Sequence, residues 1–406
     1  MKKIIALTIV ICLFIATLGT LSGCSLVAKI TGKTYITYVN ASDYTVGGLD
    51  SDQDFEDILI NWYAGSVNIY EYDGDTLVFK EDVNKNVNED WQMRWAWWNA
   101  SDFGKYYQIQ YAAKGSWDFK DLKKDLTILI PKKYETLNHL SVTVRDECDI
   151  NIYLPSISFK GDAVKGSPNV HLDAEFGNIN AYFNDIDYFR MIGDGDKIAN
   201  QYYRRLHANN IGKIDYVCSY SRAMFFVNSI TEYAEIKNYA GDIIVECYEN
   251  IRKLTTSNTI GTTFLELNTF NKLDMTSKDA PIGVEMHYKQ KFVVTMSNYT
   301  EYGSNLAYKE PHFMGRIGYV PDDELKPDDP DDLYDVTHTG DTWRVRDGKD
   351  KYGRDIEVKV ESGADVYFGS WQSVYSSMQE TGVFNEWPSD PLPYGQDNNN
   401  ENNNNQ

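Results

Sequence analysis

Four of the nine tryptophans, Trp91, Trp95, Trp97 and Trp98, fall within Glu89–Ala100. Indole rings displayed in a row can stack on the flat apolar faces of sugars, and the interleaved Glu89, Asp90, Gln92, Arg94 and Asn99 can supply directional hydrogen bonds. The same residues also suit a hairpin that covers the open end of a repetitive fold. Alternation along a strand puts Trp95 and Trp97 on one face and Trp98 on the other, so all are core only if both faces are covered. Paired acids form a second group: Asp73/Asp75, Asp194/Asp196, Asp322/Asp323 and the run Asp328, Asp329, Asp331 and Asp332. That run is the best cation candidate, because calcium takes about 6–8 oxygen ligands, but a solvated acidic loop explains it better. Asp73-Gly74-Asp75 reads as a tight turn. The six histidines, His139, His171, His207, His287, His312 and His338, are scattered with no pair at metal spacing. No HExxH, GxSxG, P-loop or dinucleotide-binding glycine pattern occurs. No catalytic residue is nominated, and nothing calls for a cofactor.

One further residue is placed for covalent chemistry. The chain opens Met1-Lys2-Lys3, continues with an apolar run from Ile4 to Leu18, and reaches Leu21-Ser22-Gly23-Cys24. A basic start and an apolar stretch of about 7–15 residues make a secretory signal. The stretch is shorter than the roughly 20 residues of a comfortable membrane helix. Leu21–Cys24 resembles the lipobox of bacterial lipoproteins. The resemblance implies that the Cys24 thiol is acylated, that residues 1–23 are removed, and that the lipid holds the chain on the outer face of the bacterial cell membrane. Two acyl chains anchor stably where one is marginal.

Losing Lys2 and Lys3 takes the net charge from −21 to −23. Nucleic acid, which needs clustered Lys and Arg, is excluded as a partner. Hydrophobic residues make up 42% of the chain, enough at this length for a sizeable core. The 30 tyrosines lean the composition towards strands, where aromatic side chains fit a half-buried pleated surface. Cys148, Cys218 and Cys247 remain after Cys12 and Cys24 are set aside. An odd number cannot all pair, and three buried thiols are expected rather than a Cys218–Cys247 disulfide.

What must position these residues is a repeated phrase. Ala64-Gly65-Ser66-Val67-Asn68-Ile69 returns at Phe176–Ala181, Ala240–Val245 and Ser362–Tyr367, with weaker copies from Gly212, Gly261 and Gly283. Each is a turn glycine followed by alternating apolar residues, the pattern of a strand with one buried face. From Tyr233 to Tyr288 the unit recurs about every 19 residues, a period that signals stacked arrays. The expected fold is all-β, with short strands stacked as a β-solenoid or β-helix-like domain, and no convincing amphipathic helix. The Gly-x-Ile/Val-x-Ile/Val phrase resembles an adhesin-like family of bacterial β-strand-repeat proteins of unknown function. The resemblance implies a repetitive scaffold in the cell envelope and supplies no catalytic residues. It covers roughly Phe55–Tyr288 and a late fragment at Asp355–Phe368, and the tryptophan segment, an irregular stretch at Tyr188–Leu206 and an acidic insertion after Val320 depart from it.

The expected layout is a signal at 1–23, a lipidated tether at 24–54, a strand-repeat domain at 55–320, an acidic Pro/Asp linker at 321–335, terminal strands at 336–370 and a disordered Asn-rich tail at 388–406. The leading functional expectation is a non-catalytic surface module that binds a glycan or a surface protein. The alternatives are a carbohydrate-active enzyme on a β-helix, which needs carboxylates or a carboxylate–cation pair on adjacent strands, and a structural or regulatory lipoprotein of envelope stress that binds through strand edges.

Overall fold

The computed structural model describes residues 43–83, 87, 89–100, 104–113, 122–161, 167–193, 198–287, 291–300, 304–314, 334–347, 356–370 and 373–380. The signal, Cys24, Asp194/Asp196, Asp322/Asp323, the Asp328–Asp332 run and the tail at 388–406 lie outside the described residues. The described residues are all-β but for one short 3-10 turn and one eight-residue helix, and their 27 strands form one continuous hydrogen-bonded sheet.

Most pairs are parallel, because each glycine phrase turns the chain out of one ladder of strands into another. One circuit shows the plan. From Tyr233 a strand runs to Ala240, turns at Gly241, continues as Ile243–Cys247, passes a short pairing at Asn250–Ile251 and re-enters at Leu254. Leu254 pairs with Ala234 and Leu273 with Leu254, so successive circuits take 20 and 19 residues. Gly177 and Gly241 show why the phrase needs glycine. Their φ angles are +100° and +124°, and a Cβ would lie 2.3 Å from the Cys148 carbonyl oxygen and 2.4 Å from that of Ser221. Positive φ and contact with the neighbouring backbone both exclude a side chain there.

Alternation then stacks like on like. Leu140, Val170, Phe189, Ile214, Ala234, Leu254 and Leu273 hold one inward position of the first ladder. Ile152, Ala181, Leu206, Phe225, Val245, Leu265 and Val284 hold one of the second. The third and shortest ladder aligns Leu137, Phe159, Ile186, Ile211, Ile230, Ile251 and Phe270. All are buried in one continuous core, and each Val, Leu, Ile or Phe so covered contributes about 1.5–3 kcal/mol before the entropy of ordering is counted.

Antiparallel strands close the stack. At its start Arg94–Ala100 pairs with Gly104–Gln110, and Thr45–Val46 pairs with Arg94–Trp95. Leu49–Ser51 and Leu77–Val83 flank the second ladder in the same way. Two short strands therefore occupy the end of the segment read as tether, where Leu49 is buried in the core and Tyr44 packs on Trp98. At the far end Thr342–Asp347 and Tyr334–Thr339 form a hairpin on Phe292–Ser297.

Two features differ from the sequence reading. Tyr188–Leu206, read as a departure from the strand repeat, contains the end of the strand Ile186–Gly193 and the start of Tyr202–Cys218. A helix, α1 (Ser373–Glu380), is present and buries Val374 and Met378, one turn apart, against Met224, Ile244 and Phe264 on the outside of the second ladder. No helix among the described residues is long and apolar enough to cross a membrane.

Candidate functional site

The first ladder carries a column of polar side chains on its outer face, next to the corner with the third ladder. Each follows an inward apolar residue of the third ladder: Ile186-Asp187-Tyr188, Ile211-Gly212-Lys213, Ile230-Thr231-Glu232-Tyr233, Ile251-Arg252-Lys253 and Phe270-Asn271-Lys272. Register puts Tyr188 beside Lys213 and Lys213 beside Tyr233. Lys253 and Lys272 each precede the aligned Leu254 and Leu273, which continues the column. Two adjoining hollows lie along it and share Glu232. One, of about 580 Å³, reaches from Lys160 and Asn169 past Tyr188 to Lys213; the other, of about 750 Å³, holds Tyr233, Arg252, Lys253, Lys272 and Asp274. Together they make a polar groove that crosses successive strands.

Most of the groove's charges are already paired. Lys160 Nζ is 2.7 Å from Asp185 Oδ2, Lys213 Nζ 3.3 Å from Glu232 Oε2, and Lys272 Nζ 3.6 Å from Asp274 Oδ2. Such half-exposed pairs are individually worth about 0–1 kcal/mol and open easily. Tyr233 is 37% exposed, an open ring beside them.

Further along the same outer face, Asp57 pairs in register with His139. Burial, and next the charge of Glu56, push the Asp57 carboxyl up to about 7. His139 and His171 lie on neighbouring strands, and burial holds both below the usual histidine range. Beside them Arg190 Nε is 3.3 Å from Asp215 Oδ2, and Arg145 Nη2 is 3.0 Å from Asp173 Oδ2. The linear spacing of the histidines hid this neighbourhood, because residues about 30 apart meet only when strands stack. Among the described residues no group of three or more His, Cys, Asp or Glu is placed to hold a metal ion.

The tryptophans sit at the start of the stack, and all four are half-buried. Trp91, Trp95 and Trp97 pack against the main core, and the Trp95 ring lies 6.1 Å from that of Tyr107. Trp97 Nε1 donates to the Asp54 carbonyl at 3.2 Å. Trp98 faces the other way, onto Tyr44 and Ala96. Beneath them Lys124 is fully buried; its Nζ donates to the Trp91 carbonyl at 2.9 Å and lies over the Trp62 and Tyr111 rings. Cys148, Cys218 and Cys247 are buried free thiols, all pushed up by burial and so poor nucleophiles.

The sequence reading did not single out the groove residues. Their signal is the recurring apolar-x-Tyr/Lys-apolar phrase, readable only once the apolar residues are aligned.

No family model matches the chain, and no curated protein matches it. A crystal structure of a candidate cell adhesion protein from Clostridium sporogenes aligns with 80% of this chain and 99% of its own, at 8% identity and a TM-score of 0.19. Likeness at that score decides nothing about fold or function.

Proposed function

We propose that the protein is a non-catalytic, adhesin-like binding module of the bacterial cell envelope, anchored through lipid on Cys24 and folded as a β-solenoid. The observation that carries the binding role is the groove, where one outward position, just before or at the start of the first-ladder strand, presents Tyr188, Lys213, Tyr233, Lys253 and Lys272 on five successive circuits. A repeated position suits a repetitive or extended ligand, since each strand offers it an equivalent contact. The in-register ladders and glycine corners support the solenoid form, and Leu21–Cys24 supports the address. Residues 24–42 then serve as tether, 321–333 as an acidic linker, and the ligand is a glycan or a surface protein.

Two measurements test this reading. Cys24→Ala should release the protein from membranes while leaving its β circular dichroism unchanged; retention without the cysteine overturns the anchor. The released protein should bind surface glycans or peptides in an array, and Lys213→Glu with Tyr233→Ala should abolish the signal. Binding that ignores both substitutions removes the groove from the proposal.

A second reading, a glycan-cleaving enzyme, is favoured by Asp57. A carboxyl pushed up to about 7 is roughly half protonated at neutral pH, and its protonated fraction can protonate a leaving oxygen. New reducing ends from a glycan incubated with the wild type, and none with Asp57→Asn, would move the protein into that class.

A further inference from the structure

We infer that the groove takes a linear, uncharged polysaccharide lying along the stack, with one sugar ring to each strand. The inference rests on the binding role proposed above and names its ligand class.

Periodicity gives the first argument. Adjacent strands are about 4.8 Å apart, so Tyr188 and Tyr233, separated by the strand that bears Lys213, stand roughly 10 Å from one another. One ring of an extended glycan is about as long as one strand spacing. The two tyrosines therefore meet alternate rings, and Lys213 lies at the ring between. Aromatic faces suit the apolar C–H face of a sugar, and their alternation suits a chain whose alternate rings present the same side.

Charge gives the second. The hollows are lined by five basic residues (Lys160, Lys213, Arg252, Lys253, Lys272) and five acidic ones (Asp185, Asp187, Glu232, Glu235, Asp274). This balance is local, on a chain whose net charge is −21. An anionic polymer meets the surrounding acid excess, and a charged ligand that engages Lys160, Lys213 or Lys272 must open an existing ion pair. Hydroxyl groups avoid that cost, since a paired Lys and Asp place a donor beside an acceptor, as adjacent sugar hydroxyls require.

Backbone geometry gives the third, and sets a glycan above an extended peptide. Peptides captured as added strands use a free sheet edge. Along this groove the strands of the first ladder are paired on both sides, so it offers no free sheet edge to an added strand.

The test uses the full Cys24→Ala chain and calorimetric titration with cello- and chito-oligosaccharides of increasing length, with alginate and polylysine as charged probes. Affinity for a neutral series should rise with each added ring up to about the number of strands in the column and then level off. It should be nearly independent of salt, because no net charge is neutralised. Tyr233→Ala should weaken it about tenfold with the melting midpoint unchanged, as expected of an exposed aromatic anchor. Lys213→Met should shorten the length dependence. Absence of binding by every neutral oligosaccharide at millimolar concentration overturns the inference. So does tighter, salt-sensitive binding of alginate or polylysine; if Tyr233→Ala and Lys213→Met still weaken that binding, the groove remains the binding surface and only the ligand class falls.

Discussion

Lys124 Nζ lies 2.5 Å from Glu81 Oε1, with the lysine fully buried and the glutamate nearly so. Glu81 also accepts from the Met93 backbone N–H at 3.1 Å, while Lys124 donates to the Trp91 carbonyl. The pair thus ties the tryptophan segment to the first circuit of the stack. Burial pulls Lys124 down to about 8 from its ordinary 10.5, against the opposing pull of Glu81. A lysine with a depressed native value binds more protons unfolded than folded between those limits, so this group's contribution to stability rises with pH from about 8 to 10.5. Lys124→Met should lack that rise, read as melting midpoints of variant and wild type across the window. Glu81→Gln should cost about 3–5 kcal/mol by leaving a buried charge unpaired, whereas Lys124→Met with Glu81→Leu should be near neutral. Equal losses in the single and double variants would show that the pair does not act as a unit.

Asp57 has the opposite sign. Its native value of about 7 lies above the ordinary 3.8, so between those limits the folded state holds a proton that the unfolded state has lost. This group's contribution therefore falls as pH rises from about 4 to 7, and the penalty is fully present above 7. Asp57→Asn removes the charge that burial and Glu56 oppose. The variant should melt higher than wild type at pH 8 and show no advantage at pH 4, and a constant difference across that range would remove Asp57 as the titrating group.

How much of this was legible follows from what each residue signals alone. The glycine phrase announced the corners because Gly177 and Gly241 combine positive φ with contact to a neighbouring backbone, a demand that only one residue type meets. Alternating Ile and Val announced the inward columns for a similar reason. The start of Tyr202–Cys218 escaped because Arg204 holds an inward position, between Ile179 and Ala223 in register, with its guanidinium on the Gly177 and Ala174 carbonyls. A buried cation satisfied by carbonyls reads in sequence as a break in the pattern. Helix α1 escaped because eight residues with one buried pair, Val374 and Met378, are too short to show a helical period. The groove escaped because Tyr188, Lys213 and Tyr233 become neighbours only through register, and circuits of unequal length keep them from recurring at a fixed interval.

The tryptophans separate covering from binding. Trp95 packs on Tyr107 and the core, yet its indole N–H has no partner among the described residues. Trp98 touches a smaller cluster, Tyr44 and Ala96, on the opposite face. If the segment covers the end of the stack, Trp95→Ala should cost about 2–3 kcal/mol, below the ~3–5 of a fully buried aromatic because Trp95 is half-buried. Trp98→Ala should cost about 1 kcal/mol, since less apolar area returns to water. Neither should alter oligosaccharide affinity, because the groove begins beyond these residues at Lys160. A melt and a titration on each variant give the answer. Weaker glycan binding by Trp98→Ala at an unchanged melting midpoint would make this end of the stack a second sugar-stacking site rather than a cover.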